Sequence, residues 1–500
     1  FSVADLKLII DAVKASRFLT EQKTQELVEG LRTLCSRHQA QSLRREVIVT
    51  NRVKNMNESI HRSVEFLTVA IEKGVQIRFK YFDYDVKQER VYRKKGGFYT
   101  ISPYNLIYSD DNYYLLNQPS FLQAEVEVNG KVVAATGKDF TAYDLKQRRQ
   151  DVREFSFQRP YIEHYVLDPA YEEWAVKKDW AEGEPVKLAE QEAKQLLSRH
   201  VPYPDYTVHQ AEQIADNLYS FKCNSSGFLG VQLQVAEPTS LRLGFDEILS
   251  GERVNPGRMG CYAYVTYELQ PGTYTLESFE PYTMKFMEVY VDKGSCQVER
   301  VYMRDYCGSD VKRATFQCDN EEANELFEAA RETHRQNAVD IFMDCPSRER
   351  AGWLCDSYFS SRVAFDFSGH TRIEKNFLEN FLLPKAFKHI DKGMLPMCYP
   401  SDHPNQNHIP NWAMWFVLEL EEYLHRSGDR ELVDRAKTRV YELVDYFKPF
   451  LNEDGLLEKL SRWVFVEWSA ANSLVQDVNY PSNMLYAKML EVIGRLYDDQ

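Results

Sequence analysis

Apolar residues recur at helical spacing through ADLKLIIDAVKASRFL (4–19), and a second such stretch, TEQKTQELVEGLRTL (20–34), opens on a threonine suited to cap a helix. The period then changes. VQIRFKYFDYD (75–85) alternates apolar and polar residues and predicts a strand. FYTISPYNLIYSDDNYYLL (98–116) holds two β-rich runs around Ser109-Asp110-Asp111-Asn112 and predicts a hairpin. A further strand pair is predicted over AEVEVNGKVVAATG (124–137), where Asn129-Gly130 is a strong two-residue turn signal. Short alternating runs follow at 230–249, 261–269, 273–279 and 285–306, separated by turn residues. Several strands at such spacing predict a β-sandwich, one face of each strand packed and the other wet.

From about residue 312 the apolar spacing becomes helical and stays so. NEEANELFEAARETHRQNAVD (320–340) opens with an asparagine cap and an acidic first turn. Further helices are predicted at 357–367, 373–390, 411–427, 430–451 and 482–497. Helices joined by loops, with no strands between them, predict a bundle or toroid. The changes of period set three segments: 1–120, helices and then short strands; 121–311, the sandwich; and 312–500, the helical domain. No repeat of fixed length stands out.

A chain of 500 residues with 44% hydrophobic and 13% aromatic content can bury large cores, and its length fits a multidomain protein. Charge is uneven. Residues 1–120 carry 19 Lys and Arg against 14 Asp and Glu, whereas the remainder carries 42 against 61. An acidic body argues against nucleic acid as its partner, because neutralising phosphates takes clustered Lys and Arg. Nine cysteines without a CxxC pair signal neither a zinc site nor a complete disulfide framework, so reduced thiols and a cytoplasmic setting are expected. No apolar run approaches the roughly 20 residues that cross a bilayer.

The unusual residues collect in three loops of the helical segment: 344–356, 399–412 and 461–472. The first, DCPSRERAGWLCD, packs three carboxylates, two arginines, a tryptophan and two cysteines into thirteen residues. A solvated, ion-paired loop is one reading. The other is a site for a polar substrate. Breaking a glycosidic bond takes one carboxylic acid to protonate the leaving oxygen and one carboxylate to activate water or attack. Asp344, Arg348, Glu349, Trp353 and Asp356 supply acids, a hydroxyl-binding cation and a ring to pack on a sugar's CH face. Asp344 and Asp356 would raise the pKa of a neighbouring Glu349, and Arg348 and Arg350 would lower it. An acid role therefore requires at least one arginine to turn away. Trp412, Glu467 and Trp468 are further candidate sugar contacts. Trp412 and Trp415 sit three apart on one helix, one expected in the core and one at the cleft. His403 and His408 share a loop with Asp402, but no third ligand has convincing spacing, so a polar cleft lining is expected there, not a metal. Asp340 is expected as an ion-paired helix end.

Two resemblances add to this reading. YTISPYNLIYSDDNYYLL resembles the WYL domain of bacterial transcriptional regulators, with Tyr113-Tyr114-Leu115 at the naming triad. Over about 1–118 that resemblance implies part of a small Sm-like β-barrel behind N-terminal helices. DCPSRERAGWLCDS strongly resembles the active-site signature of α-L-rhamnosidases and their relatives in glycoside hydrolase family 78. SFEPYTMKFMEVYV, IPNWAMWFVLELEEYLHRSGD and FVEWSAANSLVQDVNYPSNMLY agree with it over about 124–500. It implies an (α/α)6 barrel, here truncated, and inverting chemistry. Carried over, Glu349 matches the general acid, Asp344 and Asp356 the sugar-binding acids, Arg348 the motif arginine and Trp353 the aromatic contact. The family's general base is a glutamate on a later loop, beyond Gln500, so the chain as given is expected to lack turnover. The implied partner is a carbohydrate, and the chemistry requires no cofactor. The rival is a sugar-responsive regulator, which would touch nucleic acid only through a DNA-binding domain upstream of Phe1. A join of two neighbouring gene products is a third reading.

Overall fold

The computed structural model describes short stretches between residues 6 and 116, including 21–34, and then 124–136, 139–143, 146–159, 161–173, 200–311, 314–387, 390–401, 408–470 and 477–498. The chain divides into two compact units, Phe1–Thr141 and Ala142–Gln500.

In the first unit a helix spans Glu21–Arg32, and Val28 joins Leu6 and Ile10 in a small buried cluster. The described strands pair two by two: Ile77–Phe79 with Tyr99–Ile101, Phe82–Tyr84 with Arg90–Tyr92, and Asn105–Ser109 with Asn112–Leu116. Ser109 lies opposite Asn112, and both fall within the stretch the sequence marks. Much of the segment expected to form an Sm-like barrel lies outside the described residues. Glu125–Val128 and Lys131–Ala135 form the hairpin announced by Asn129-Gly130. Both turn residues have positive φ, 51° and 74°, as a type I′ turn needs.

The second unit begins with a nine-stranded sheet. Its strands are β1 (His164–Leu167), β2 (Val208–Gln210), β3 (Glu212–Ala215), β4 (Leu218–Val235), β5 (Thr239–Asp246), β6 (Tyr264–Leu269), β7 (Gly272–Glu277), β8 (Tyr282–Lys293) and β9 (Cys296–Asp305). The hydrogen-bonded order is β2-β9-β4-β8-β5-β6-β1, with β3 and β7 also paired to β4. All pairs are antiparallel except β1 with β6. The 18-residue β4 makes the architecture. Over 218–227 it pairs with β8, and over 227–235 it pairs with β9. Gly227 sits at this changeover, where a Cβ would lie 2.4 Å from the Arg304 carbonyl oxygen. The strand thereby carries the sheet around itself. Leu229, Val231 and Leu233 from β4 meet Leu241 and Leu243, Val265, Met287 and Met303 in one core.

Among the described residues six α-helices follow: α1 (Glu321–Asn337), α2 (Asp356–Ser368), α3 (Arg372–Leu382), α4 (Pro410–Ser427), α5 (Arg430–Phe447) and α6 (Tyr480–Tyr497). Side chains satisfy several first turns, with Asn320 accepting from Ala323 N–H, Asp429 from Leu432 N–H and Asn479 from Ser482 N–H. Gly369 and Gly428 end α2 and α4 in the left-handed conformation. The helix expected over 373–390 stops at Leu382; Leu383 keeps helical φ and ψ and still donates to Glu379 O, but Pro384 has no N–H to carry the ladder further. α4 is apolar nearly all round and packs against α2, α3, α5 and α6 as the centre of the helical core. Its Phe416, Val417 and Leu420 are fully buried, each worth about 1.5–3 kcal/mol relative to exposure.

Candidate active site

The loop 344–355 lies between α1 and α2 and closes on itself. Asp344 N–H donates to Ala351 O at 3.1 Å, and Ala351 N–H returns to Asp344 Oδ1 at 3.2 Å. A neighbouring segment, 397–400, pins the far side. Leu354 N–H donates to Met397 O, Tyr399 N–H to Gly352 O, and Trp353 bridges Cys398. Gly352 is required by this contact, since a Cβ there would meet Tyr399 O at 2.6 Å and the Phe377 ring at 3.0 Å. Arg350 and Cys355 both take positive φ, 53° and 75°, and these two turns deliver Asp356 to the first position of α2.

Glu349 is buried, and both carboxylate oxygens are held. Trp353 Nε1–H donates to Oε2 at 2.8 Å, and the Arg348 guanidinium pairs with Oε1. Asp344 is raised to about 7, first by burial and then by the charge of Glu349. Asp356 is raised to about 6, mainly by burial, with Glu349 adding to it and a bond to its own backbone N–H opposing. Three carboxyl groups thus stand within electrostatic reach in one partly desolvated place. The two arginines part company. Arg348 stays with Glu349, while Arg350 turns toward the sheet, its guanidinium 5.8 Å from the Tyr306 ring and pushed down to about 10 by burial. The condition the sequence imposed, at least one arginine turned away, is met by Arg350.

Trp353 is buried and not an open platform. Its ring belongs to a cluster with Ala351, Met397, Cys398, Ile409 and Phe465, against which Trp412 and Trp463 pack. Trp412 lies edge-on to Phe465 at 4.9 Å, and its buried indole N–H has no hydrogen-bond partner among the described residues. Trp415, on the same helix, faces elsewhere and packs on Tyr358 and Phe359. Trp468 lies edge-on to Phe465, also at 4.9 Å, yet is 83% exposed, and Glu467 beside it is exposed. An aromatic wall therefore runs from the ring that holds Glu349 out to an open indole. The thiols beside the acids are inert: burial pushes Cys345 up to about 11 and both Cys355 and Cys398 up to about 12. Among the described residues no group of three His, Cys, Asp or Glu side chains could hold a metal ion. Asp402 and His403 lie outside the described residues, and His408 is buried with Nε2 at 3.0 Å from the Tyr446 hydroxyl. Asp340 accepts, through its backbone carbonyl, from Asn376 Nδ2–H at 2.7 Å.

Sequence reasoning missed a layer behind the acids. Ser357, next to Asp356, donates to Glu419 Oε2 at 2.6 Å. Glu419 is fully buried on α4 and pushed up to about 8 by burial and by Glu374, and its Oε1 has no partner. Glu374 is paired with Arg426 and still raised to about 7 by burial. The only sequence signal for this layer is a glutamate between two leucines, LEL, at 418–420.

Residues 311–495 match the family model described as the bacterial alpha-L-rhamnosidase 6 hairpin glycosidase domain. No curated protein matches the chain. Among solved structures, the family 78 rhamnosidase of Bacillus sp. GL1 aligns with a TM-score of 0.52 at 20% identity, over 58% of this chain and 30% of that one. The α-L-rhamnosidase of Dictyoglumus thermophilum aligns with a TM-score of 0.54 at 16% identity, over 68% of this chain and 40% of that one. This chain thus spans less than half the length of either structure. Residues 311–495 are thus similar to the six-hairpin glycosidase domain of bacterial α-L-rhamnosidases, and the chain shares its fold with these two solved rhamnosidases.

Proposed function

We propose that this chain is part of an inverting glycoside hydrolase acting on terminal deoxy-sugar residues, α-L-rhamnosides first among them, with Glu349 as the proton donor. The observation that carries the reading is the setting of Glu349: a buried carboxylate held by an indole N–H at 2.8 Å, with Asp344 and Asp356 in electrostatic contact and an aromatic wall alongside. In its protonated form Glu349 delivers the proton to the leaving oxygen, with the Trp353 indole N–H fixing the direction of the carboxyl group. Asp344 and Asp356 accept sugar hydroxyls. Trp468 and Trp412 offer apolar edges and faces to the ring, and Glu467 a further hydroxyl acceptor.

Inversion needs a second carboxylate about 6.5–9.5 Å away, on the opposite face of the sugar. We assign it to a part of the ring outside α1–α6. The helices support this by exposing apolar side chains suited to packing further hairpins: Leu326 on α1, Phe359 on α2 and Met484 on α6. None of the described helices is long and apolar enough to cross a membrane.

The test is calorimetric titration of the chain with L-rhamnose, D-glucose and L-fucose, alongside aryl α-L-rhamnoside hydrolysis by a version carrying the complete ring. Saturable L-rhamnose binding, lost in Asp344→Ala, together with turnover abolished by Glu349→Gln, is the expected result. A complete ring that binds no sugar and turns over no aryl glycoside overturns the proposal. Binding without turnover retains the site and removes the enzyme.

A further inference from the structure

Side chains from the β-rich part take up three consecutive peptide carbonyls just ahead of Glu349. Thr283 Oγ1–H donates to Pro346 O at 2.7 Å, Arg159 Nη1–H to Ser347 O at 2.8 Å, and Ser156 Oγ–H to Arg348 O at 3.0 Å. Thr283 comes from β8, and Ser156 and Arg159 from the segment ahead of β1. These donors lie more than 60 residues away from the loop in sequence.

Each donor is itself held in place. Ser156 Oγ accepts the N–H groups of Gln158 and Arg159 at 3.2 and 3.0 Å. Thr283 Oγ1 shares a 2.6 Å hydrogen bond with Ser226 Oγ. The Arg159 guanidinium lies 4.6 Å from the Phe155 ring centre and 5.5 Å from that of Tyr282, and reaches Pro281 O at 3.4 Å. Arg159 is buried, and its acceptors are carbonyls, with no carboxylate among them. Burying a cation whose hydrogen-bond acceptors are carbonyls is costly, with the charge of Glu280 offsetting part of that cost, so the arginine is expected to serve the loop it grips. The loop it grips needs outside support, because Arg350, one residue beyond Glu349, holds a positive φ.

We propose that Ser156, Arg159 and Thr283 form a three-rung clamp that fixes the 346–348 peptides and so sets the direction in which the Arg348 and Glu349 side chains enter the cleft. The sheet is then a working part of the site and not only a neighbour of it. All three are positioning residues. The inference rests on reading Glu349 as a site residue, but its test does not depend on sugar chemistry.

Glu349 accepts from the Trp353 indole N–H, so that proton's ¹⁵N–¹H NMR signal reports the placement of Glu349. In ¹⁵N-tryptophan-labelled full chain, Trp353→Phe identifies the signal and Glu349→Gln gives its position without the carboxylate. Arg159→Met and Ser156→Ala are expected to move the Trp353 signal toward that position, while the Trp415 signal, from a ring packed on Tyr358 and Phe359, stays in place. L-Rhamnose binding weakens about tenfold in both, and Arg159→Lys recovers most of the loss by restoring a donor to Ser347 O. Should Arg159→Met fold poorly, Ser156→Ala and Thr283→Val carry the measurement. A Trp353 signal that coincides with the parent's in these variants overturns the clamp. A signal that moves while no protein, the parent included, binds sugar upholds the clamp and removes the sugar reading.

Discussion

Replacing Asp344 by asparagine should make the protein more stable at alkaline pH. The side chain is largely buried, and burial together with the charge of Glu349 pushes its carboxyl up to about 7 in the folded protein. Above about pH 4 the unfolded chain has released this proton while the folded protein keeps it, so stability falls as pH rises through this window, and the whole penalty is present above pH 7. A rise of this size is worth at most a few kcal/mol. Solvent reaches one edge of the group and part of the shift belongs to Glu349, so about 2 kcal/mol is the figure expected. Asparagine keeps an oxygen for the Ala351 N–H, so the loop closure at 3.2 Å survives. Urea unfolding of parent and variant at pH 4, 6 and 8 measures the difference. The curves should coincide near pH 4 and separate by about 2 kcal/mol at pH 8, with the variant the more stable. Equal stability at pH 8, or a loss at every pH, would show that Asp344 is not held against its own charge. The same variant should bind sugar poorly, as expected of a carboxylate kept for function at a cost in stability.

Trp353→Phe leaves Glu349 Oε2 buried without its indole donor and should cost about 1–3 kcal/mol in urea unfolding, with weaker sugar binding. Trp468→Ala removes an 83% exposed ring and should change stability by no more than about 0.5 kcal/mol, while calorimetry shows about tenfold weaker sugar binding. Glu419→Gln removes a fully buried carboxyl raised to about 8. It should leave stability unchanged near pH 4 and raise it progressively as pH climbs to about 8, because the unfolded chain releases this proton while the folded parent keeps it; thermal unfolding at pH 4 and 8 checks it.

The elements were legible wherever local chemistry decides them. Asn129-Gly130 announces its hairpin because two successive positive φ values favour those residues, and Asn320 announces α1 because it can cap. The helix expected over 373–390 shows the reverse: apolar spacing continues past Leu382, but Pro384 lacks the N–H that the next turn needs. In the loop at 344–356, residue types pointed to a cluster of acids, and the structure brings Asp344, Glu349 and Asp356 within one another's field. Orientation was not legible. Nothing in DCPSRERAGWLCD says that Arg348 keeps Glu349 while Arg350 turns to Tyr306, or that Trp353 is buried with only its N–H serving the site. Those choices depend on Met397, Cys398 and Tyr399, which grip the loop from far along the chain. Ser156, Arg159 and Thr283 were invisible for the same reason: a serine or threonine near a turn carries no mark of the carbonyl it will meet across the fold.

The dependence of turnover on the leaving group tests the role of Glu349 most directly. In a version with the complete ring, Glu349→Gln should slow hydrolysis of an alkyl α-L-rhamnoside at least about a hundredfold, because that alkoxide cannot depart unprotonated. A dinitrophenyl α-L-rhamnoside, whose leaving group needs no proton, should be hydrolysed at close to the parent rate. An equal loss on both substrates, or no loss on the alkyl glycoside, would contradict the assignment of Glu349 as the proton donor.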